Sequence, residues 1–145
     1  MIDENKFIEW AQVHDNFYGT PADFVWENIN EGYDVILDID VQGALTVKKN
    51  WNNAKFIFVA PPSYEVLSER LRKRGTETEE KIQKRLETAK KELAYIPEFE
   101  YLIINEDLEE SIRNLSSIIH AERLKYERQK YLSKVKKLVE IKSKE

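Results

Sequence analysis

DVILDIDV, residues 34–41, sets carboxylates against branched apolar residues with the two-residue period of a β-strand. Two more short runs share that β-forming composition, KFIFVA at 55–60 and YLIIN at 101–105, each bounded by turn formers or charge. Longer segments with helical spacing lie between and around them. Strands that alternate with helices signal a parallel sheet covered by helices, so the expected class is α/β with three layers. In such open sheets ligands bind beyond the carboxyl ends of the strands, which draws attention to Asp38 and Asp40. Side chains alternate along a strand, so these two carboxylates share a face. They serve either as a ligand site or, for one of them, as an N-cap of the helix after Gly43.

Outward from this run, the helical boundaries are marked by their punctuation. A first helix is expected over Ala22–Glu31, with Thr20 as N-cap, Pro21 at the first helical position and Gly32 at the left-handed stop. Pro61-Pro62-Ser63 breaks the chain and caps the next helix, which runs to Gly75. Thr76 and Glu79 have capping-box spacing at the start of another, whose Ile82, Leu86, Ala89 and Leu93 form one apolar stripe. From Leu108 onward Ile112, Leu115, Ile118 and Ile119 recur at helical spacing, and Lys134, Lys136, Lys137, Lys142 and Lys144 read as a solvated or fraying extension.

Composition narrows the function. A length of 145 residues allows one domain with a hydrophobic core, or one domain with a small mobile insert, and not two full domains. A net charge of −4 argues against the broad positive field that nonspecific nucleic-acid binding needs, so no nucleic-acid partner is expected. The chain contains no cysteine, which excludes disulfides, thiolate zinc sites and cysteine nucleophiles. Neither a bilayer-length apolar run nor a signal-peptide pattern is present in the sequence, so the expected location is the cytoplasm with no membrane partner.

Between Glu9 and Thr20 the chain is dense in groups suited to a guanine nucleotide. Guanine offers two adjacent N–H donors and a carbonyl; a carboxylate such as Glu9 accepts from both donors, and a hydroxyl such as Thr20 donates to the carbonyl. The Tyr18 phenol suits a monophosphate oxygen, while Trp10 and Phe17 suit packing. Equally, Thr20 serves as a helix cap and Glu9 as a surface carboxylate. Arg70 and Arg74 stand one helical turn apart, and with Arg85 they supply the guanidinium forks that fit the charge spread over a moving phosphoryl group. The ordinary alternative is solvated arginines paired with Glu69, Glu77, Glu79 or Glu80. None of Gly19, Gly32, Gly43 and Gly75 belongs to a G-x-x-x-x-G-K-[ST] phosphate loop.

In order and spacing, FIEWAQVHDNFYGT (from Phe7), DVILDIDVQGA (from Asp34), APPS with LRKRGTETEEKIQKRL, and YLIINEDLE resemble the guanylate kinases, from about Ile2 to about Arg123. The resemblance implies the fold of P-loop nucleoside monophosphate kinases and transfer of the terminal phosphoryl group of ATP to GMP with Mg2+. It assigns Glu9, Thr20 and Asp40 to the guanine base, Tyr18 to the GMP phosphate, and Asp38 to the magnesium through water. Arg70, Arg74 and Arg85 become lid arginines facing the phosphates, and Asn105 lies near the adenine. Residues 1–20 would be a remnant of the GMP-binding domain, 21–62 core, 63–94 lid and return helix, and 95–145 core strand and C-terminal helix.

The pattern departs from the family at its start, where a first strand and the phosphate loop are expected before the residues that match. The resemblance therefore implies a C-terminal fragment, inactive alone, with a gap between DVILDID and FIFVA that invites self-association through unpaired strands. The alternative is a guanylate-kinase-like binding module for phosphorylated peptides. Adenylate kinase is a nearer rival by fold, but EWAQ and DIDVQG do not suit it.

Overall fold

The computed structural model describes residues 7–13, 16–51 and 53–142, with side chains described over 19–51 and 53–141; the expectations for Met1–Glu4 and Lys144, and those for the side chains of Glu9, Trp10, Phe17, Tyr18 and Lys142, lie outside what is described. The chain divides into two compact units, Met1–Phe58 with Gln83–Tyr101, and Val59–Ile82 with Leu102–Glu145.

In the first unit, β1 (Phe7–Val13) pairs antiparallel with β2 (Asn16–Pro21). Neither strand was among the expected β runs, although two aromatic-containing runs flank His14-Asp15. The register sets Glu9 opposite Thr20 and Ala11 opposite Tyr18, after an irregularity between Phe7 and Glu9. Helix α1 (Ala22–Asn30) follows at once. Its N-cap is Pro21, in extended conformation and without a side-chain capping bond, not the expected Thr20. Thr20 is committed to the β2 ladder and sits one residue too early to cap. The helix stops as expected. Gly32 has φ +95°, its N–H donates to the Ile29 carbonyl at 3.0 Å, and Tyr33 N–H donates to the Asn28 carbonyl at 3.0 Å.

Residues 33–40 overturn one expectation. They have no strand assignment among the described residues, although Val35, Leu37 and Ile39 are half-buried and Ile36, Asp38 and Asp40 are exposed. The strand alternation is there; the ladder partner is not. A strand is defined by hydrogen bonds to a neighbour, and the hydrophobic period alone cannot supply them. Helix α2 (Val41–Asn50) begins directly afterwards, before Gly43 rather than after it, with the Asp40 carboxylate accepting from Gly43 N–H at 2.7 Å.

The core of this unit forms where α1 and α2 meet. Val25 and Val47 are 4% and 3% exposed and pack with Ala22, Ala44 and Phe56, against which Val35, Leu37, Ile39, Trp51 and Phe99 lean. Each fully buried residue of Val or Phe size contributes roughly 1.5–3 kcal/mol through lost apolar surface. Trp26 and Trp51 meet at 4.9 Å between ring centroids, and Phe99 presents an edge to Phe58 at 5.1 Å.

The expected second and third strands are observed as β3 (Ile57–Ala60) and β4 (Tyr101–Ile104), paired with each other. Tyr101 N–H donates to the Phe56 carbonyl at 3.0 Å and Asn105 N–H to the Ala60 carbonyl at 2.7 Å. Both chains advance four residues between these bonds, so the pair is parallel. The class is α/β, as expected.

Helix α3 (Tyr64–Lys73) is capped by Ser63, whose hydroxyl accepts from Val66 N–H at 3.1 Å, and it closes at Gly75 with φ +63°. Helix α4 (Glu79–Leu93) carries the predicted stripe, with Ile82 and Leu86 4% and 2% exposed. The expected Thr76–Glu79 box does not form its start. Thr78 accepts from Lys81 N–H at 3.4 Å, and Glu79 turns instead to Arg72. A 3₁₀ turn, Ile96–Glu98, leads into β4. Asp107 caps α5 (Leu108–Arg123), which α6 (Tyr126–Gln129) and α7 (Ser133–Lys142) follow. The basic extension, expected to be solvated or fraying, is helical among the described residues and largely exposed, Leu138, Val139 and Ile141 included.

Candidate functional site

Two of the guanine-site candidates are juxtaposed by backbone register alone. Glu9 on β1 stands opposite Thr20 on β2, and Tyr18 lies two positions from Thr20 along the same strand. The hairpin contacts both α1 and α2, within the same unit as Asp38 and Asp40.

Asp40 realises the ordinary alternative: it is the N-cap of α2, one carboxylate oxygen accepting from Gly43 N–H. The other oxygen is left for a second donor, so capping and recognition are compatible. Asp40 also borders a shallow recess of about 160 Å³ with Val41, Gln42, Thr88, Lys91, Glu92 and Tyr95. Partial burial, and secondarily the charge of Asp40, raise the pKa of the Glu92 carboxyl above its ordinary value. Sequence reasoning missed Glu92, since nothing in its spacing tells that it faces a carboxylate some fifty residues upstream. Asp38 is exposed two residues before Asp40, on the same side of the extended segment.

The second unit holds Arg70, Arg74 and Asn105. Arg70 donates to the backbone carbonyls of Asn105 at 2.8 Å and of Glu106 at 3.4 Å, so this guanidinium is anchored at the carboxyl end of β4. Asn105 is held in turn by its own side chain, whose Oδ1 accepts from the Ser111 hydroxyl at 3.1 Å. Its Nδ2 remains available as a donor to a ligand. Arg74 caps the C-terminus of α3 and is exposed. Arg85 lies on α4, also exposed, in the first unit.

Glu79, one of the carboxylates named beside these arginines, pairs with Arg72. Arg72 donates to Glu79 at 2.6 Å and also reaches the Ser68 hydroxyl, linking the end of α3 to the start of α4 across Gly75. The hydrogen bond and charge of Glu79 raise the Arg72 pKa. Arg70 is held instead by the carbonyls of Asn105 and Glu106, whereas the pairing with Glu79 falls to Arg72, a residue not among the candidates.

Among the described residues there is no group of three or more His, Asp or Glu side chains that would by itself hold a metal ion. A single carboxylate such as Asp38 suits Mg2+, which keeps several waters and binds through one or two carboxylates together with substrate phosphates. No helix among the described residues is long and apolar enough to cross a membrane.

Comparison with known proteins adds a consistent set of relatives. The family model described as guanylate kinase matches residues 1–122. The chain is 48% identical over 132 residues to a guanylate kinase of Caldanaerobacter subterraneus subsp. tengcongensis, covering 91% of this chain and 64% of that protein. It is 53% identical over 127 residues to the guanylate kinase of Thermotoga maritima, covering 88% of this chain and 61% of that one. Among solved structures, the guanylate kinase from Anaplasma phagocytophilum superposes with a TM-score of 0.72 at 33% identity, over 92% of this chain and 65% of that chain. The chain thus spans a little under two-thirds of the length of these relatives.

Proposed function

The chain belongs to the guanylate kinase family, and on that premise we propose that it supplies the GMP site and the phosphate-facing arginines for transfer of a phosphoryl group from ATP to GMP. In this reaction an oxygen of the GMP phosphate forms a bond to the γ-phosphorus of ATP. The bond from that phosphorus to the β–γ bridging oxygen breaks, and the products are GDP and ADP. Little proton transfer is required, so positioning and charge neutralisation carry most of the acceleration.

The observation that carries this reading is the hairpin register, which pairs Glu9 with Thr20 in the unit that also contains Asp40. Glu9 and Asp40 accept the N–H donors of guanine and Thr20 donates to its carbonyl; Tyr18 binds the monophosphate. Arg70, Arg74 and Arg85 neutralise the phosphates, and Asn105 donates to the adenine ring. Asp38 would hold Mg2+ through its waters, and the ion would offset phosphate charge. The proposed working parts are residues 1–20 for GMP binding, 21–62 for the core, 63–94 for the lid and its return helix, and 95–145 for the closing strand and helices. Cytoplasmic purine nucleotide metabolism is the setting that fits this chemistry.

Residues 33–40, extended and without a ladder, fit the further proposal that a strand from elsewhere pairs there, including one from a second copy.

Calorimetry with GMP and AMP tests the site directly. GMP should bind and AMP should not, and Glu9→Gln with Asp40→Asn should abolish the difference; equal binding of both nucleotides would overturn the assignment. The 145 residues contain no G-x-x-x-x-G-K-[ST] loop, so this polypeptide alone should give no measurable ADP from ATP and GMP. GMP-dependent turnover at rates typical of kinases, about 1–100 per second, would contradict that expectation.

A further inference from the structure

Charge is distributed very unevenly along this chain. Residues 1–122, the range of the family match, contain 14 Lys+Arg and 24 Asp+Glu, a net of −10; residues 123–145 contain 9 and 3, a net of +6, and the two sum to the overall −4. From residue 7 to residue 47 there is no lysine or arginine at all.

The acidic excess surfaces on α1. Asp23, Glu27 and Glu31 follow one another at four-residue intervals, a like-charge series that weakens a helix, and the last turn has no basic residue to balance the dipole. Beside them Phe24 is 62% exposed. None of the three carboxylates has a side-chain ion pair among the described residues. On α7 the signs are reversed. Lys134, Lys136 and Lys137 have no carboxylate partner among the described residues, and Leu138 and Val139 beside them are 67% and 56% exposed. Between α6 and α7 lies a recess of about 230 Å³, lined by Tyr126, Val135 and Val139 with Lys130, Lys136 and Glu140. That is below the roughly 300 Å³ at which small-molecule pockets begin, and it suits a single aromatic side chain.

We propose that α7 and the recess beside it form a docking surface for the acidic face of α1 on a second copy of this chain, with Phe24 seated in the recess and Asp23 and Glu27 meeting its lysines. Each copy carries both surfaces, so copies associate without a third component, the smallest product being a dimer. The exposed aliphatic side chains on α7 and the matching acidic face on the same polypeptide favour a protein partner over nucleic acid.

Sedimentation velocity on the full chain tests this, since screening shortens to about 3 Å at 1 M salt against about 10 Å at 0.1 M. A dimer at 50 mM salt should dissociate at least tenfold more readily at 500 mM. Lys134→Glu/Lys136→Glu/Lys137→Glu should be monomeric, and so should Asp23→Lys/Glu27→Lys/Glu31→Lys. An equimolar mixture of the two variants should dimerise again, which also shows that both are folded. Phe24→Ala should weaken dimerisation with the charges intact. A monomer at every salt concentration, variants that still self-associate, or a mixture that stays monomeric would overturn the proposal. So would binding of single-stranded polyuridine or phosphatidylglycerol vesicles that depends on the same lysines without any dimer.

Discussion

Residues 33–40 and β3 are built from similar material, short runs of Val, Ile, Leu or Phe with at least one face turned to the core, yet only β3 becomes a strand. The difference lies outside both segments. β3 has Tyr101 and Asn105 delivering N–H groups to the Phe56 and Ala60 carbonyls, whereas residues 33–40 meet no such neighbour among the described residues. What the two share is packing, since Val35, Leu37 and Ile39 lean on the same cluster that buries Phe56. Burial therefore sets which side chains point inward in both, and hydrogen bonding decides which becomes a ladder.

The largest test of that shared packing is Phe56→Ala. Phe56 is buried in the cluster, and its carbonyl accepts from both Glu100 and Tyr101. Truncation should cost about 3–5 kcal/mol in urea unfolding. A loss under about 1 kcal/mol would mean that the core does not join the two regions. Next in size is a matched pair within the extended segment. Leu37→Ala should cost about 1–2 kcal/mol, less than the 2–5 of a fully buried leucine because Leu37 is half-buried. Ile36→Ala, at a residue 66% exposed, should stay within about 0.5 kcal/mol. Equal losses at both positions would show that the alternation is not a packing pattern.

The core period and the helix stops were legible because each depends on residues close in sequence. Gly32 and Gly75 do take up positive φ, Ser63 does cap α3, and the Ile82–Leu86 stripe is buried. The capping assignments failed where two residues competed for one role. Thr20 lost the cap of α1 because the hairpin held it, and Glu79 left the capping box for Arg72, seven residues upstream across a turn. The candidate site divides in the same way. Asp38 and Asp40 were legible from alternation, while the anchoring of Arg70 on the Asn105 carbonyl and the approach of Glu92 to Asp40 depend on contacts 35 residues apart or more.

Asp40 joins the extended segment to regular structure, and Asp40→Ala sharpens the comparison at that junction. Removing the acceptor of Gly43 N–H should cost about 1 kcal/mol, the usual value of an N-cap. Asp40→Asn should retain most of that stability, because asparagine caps nearly as well, while still losing the proposed guanine contact. An Asn variant as unstable as the Ala variant would show that the charge, not the cap, holds α2 in place.

The smallest effect is also the most selective, because it changes sign relative to most substitutions. The Glu92 carboxyl has a raised pKa, first from partial burial and second from Asp40, so the folded chain binds its proton more tightly than the unfolded chain does. This group therefore favours folding most below its unfolded pKa, and that contribution is lost as pH rises through the raised folded value. Glu92→Gln removes the ionisation while keeping the shape. It should raise stability at pH 7 by under about 0.5 kcal/mol, since the side chain is partly exposed and solvent screens the pair. The gain should fade as pH is lowered toward 4, where the wild-type carboxyl is already protonated. In an Asp40→Asn background the benefit at pH 7 should shrink but persist, because burial is the larger cause and Asp40 the smaller. A benefit independent of pH would trace it to altered packing on α4 and remove the electrostatic link between that helix and the end of the extended segment.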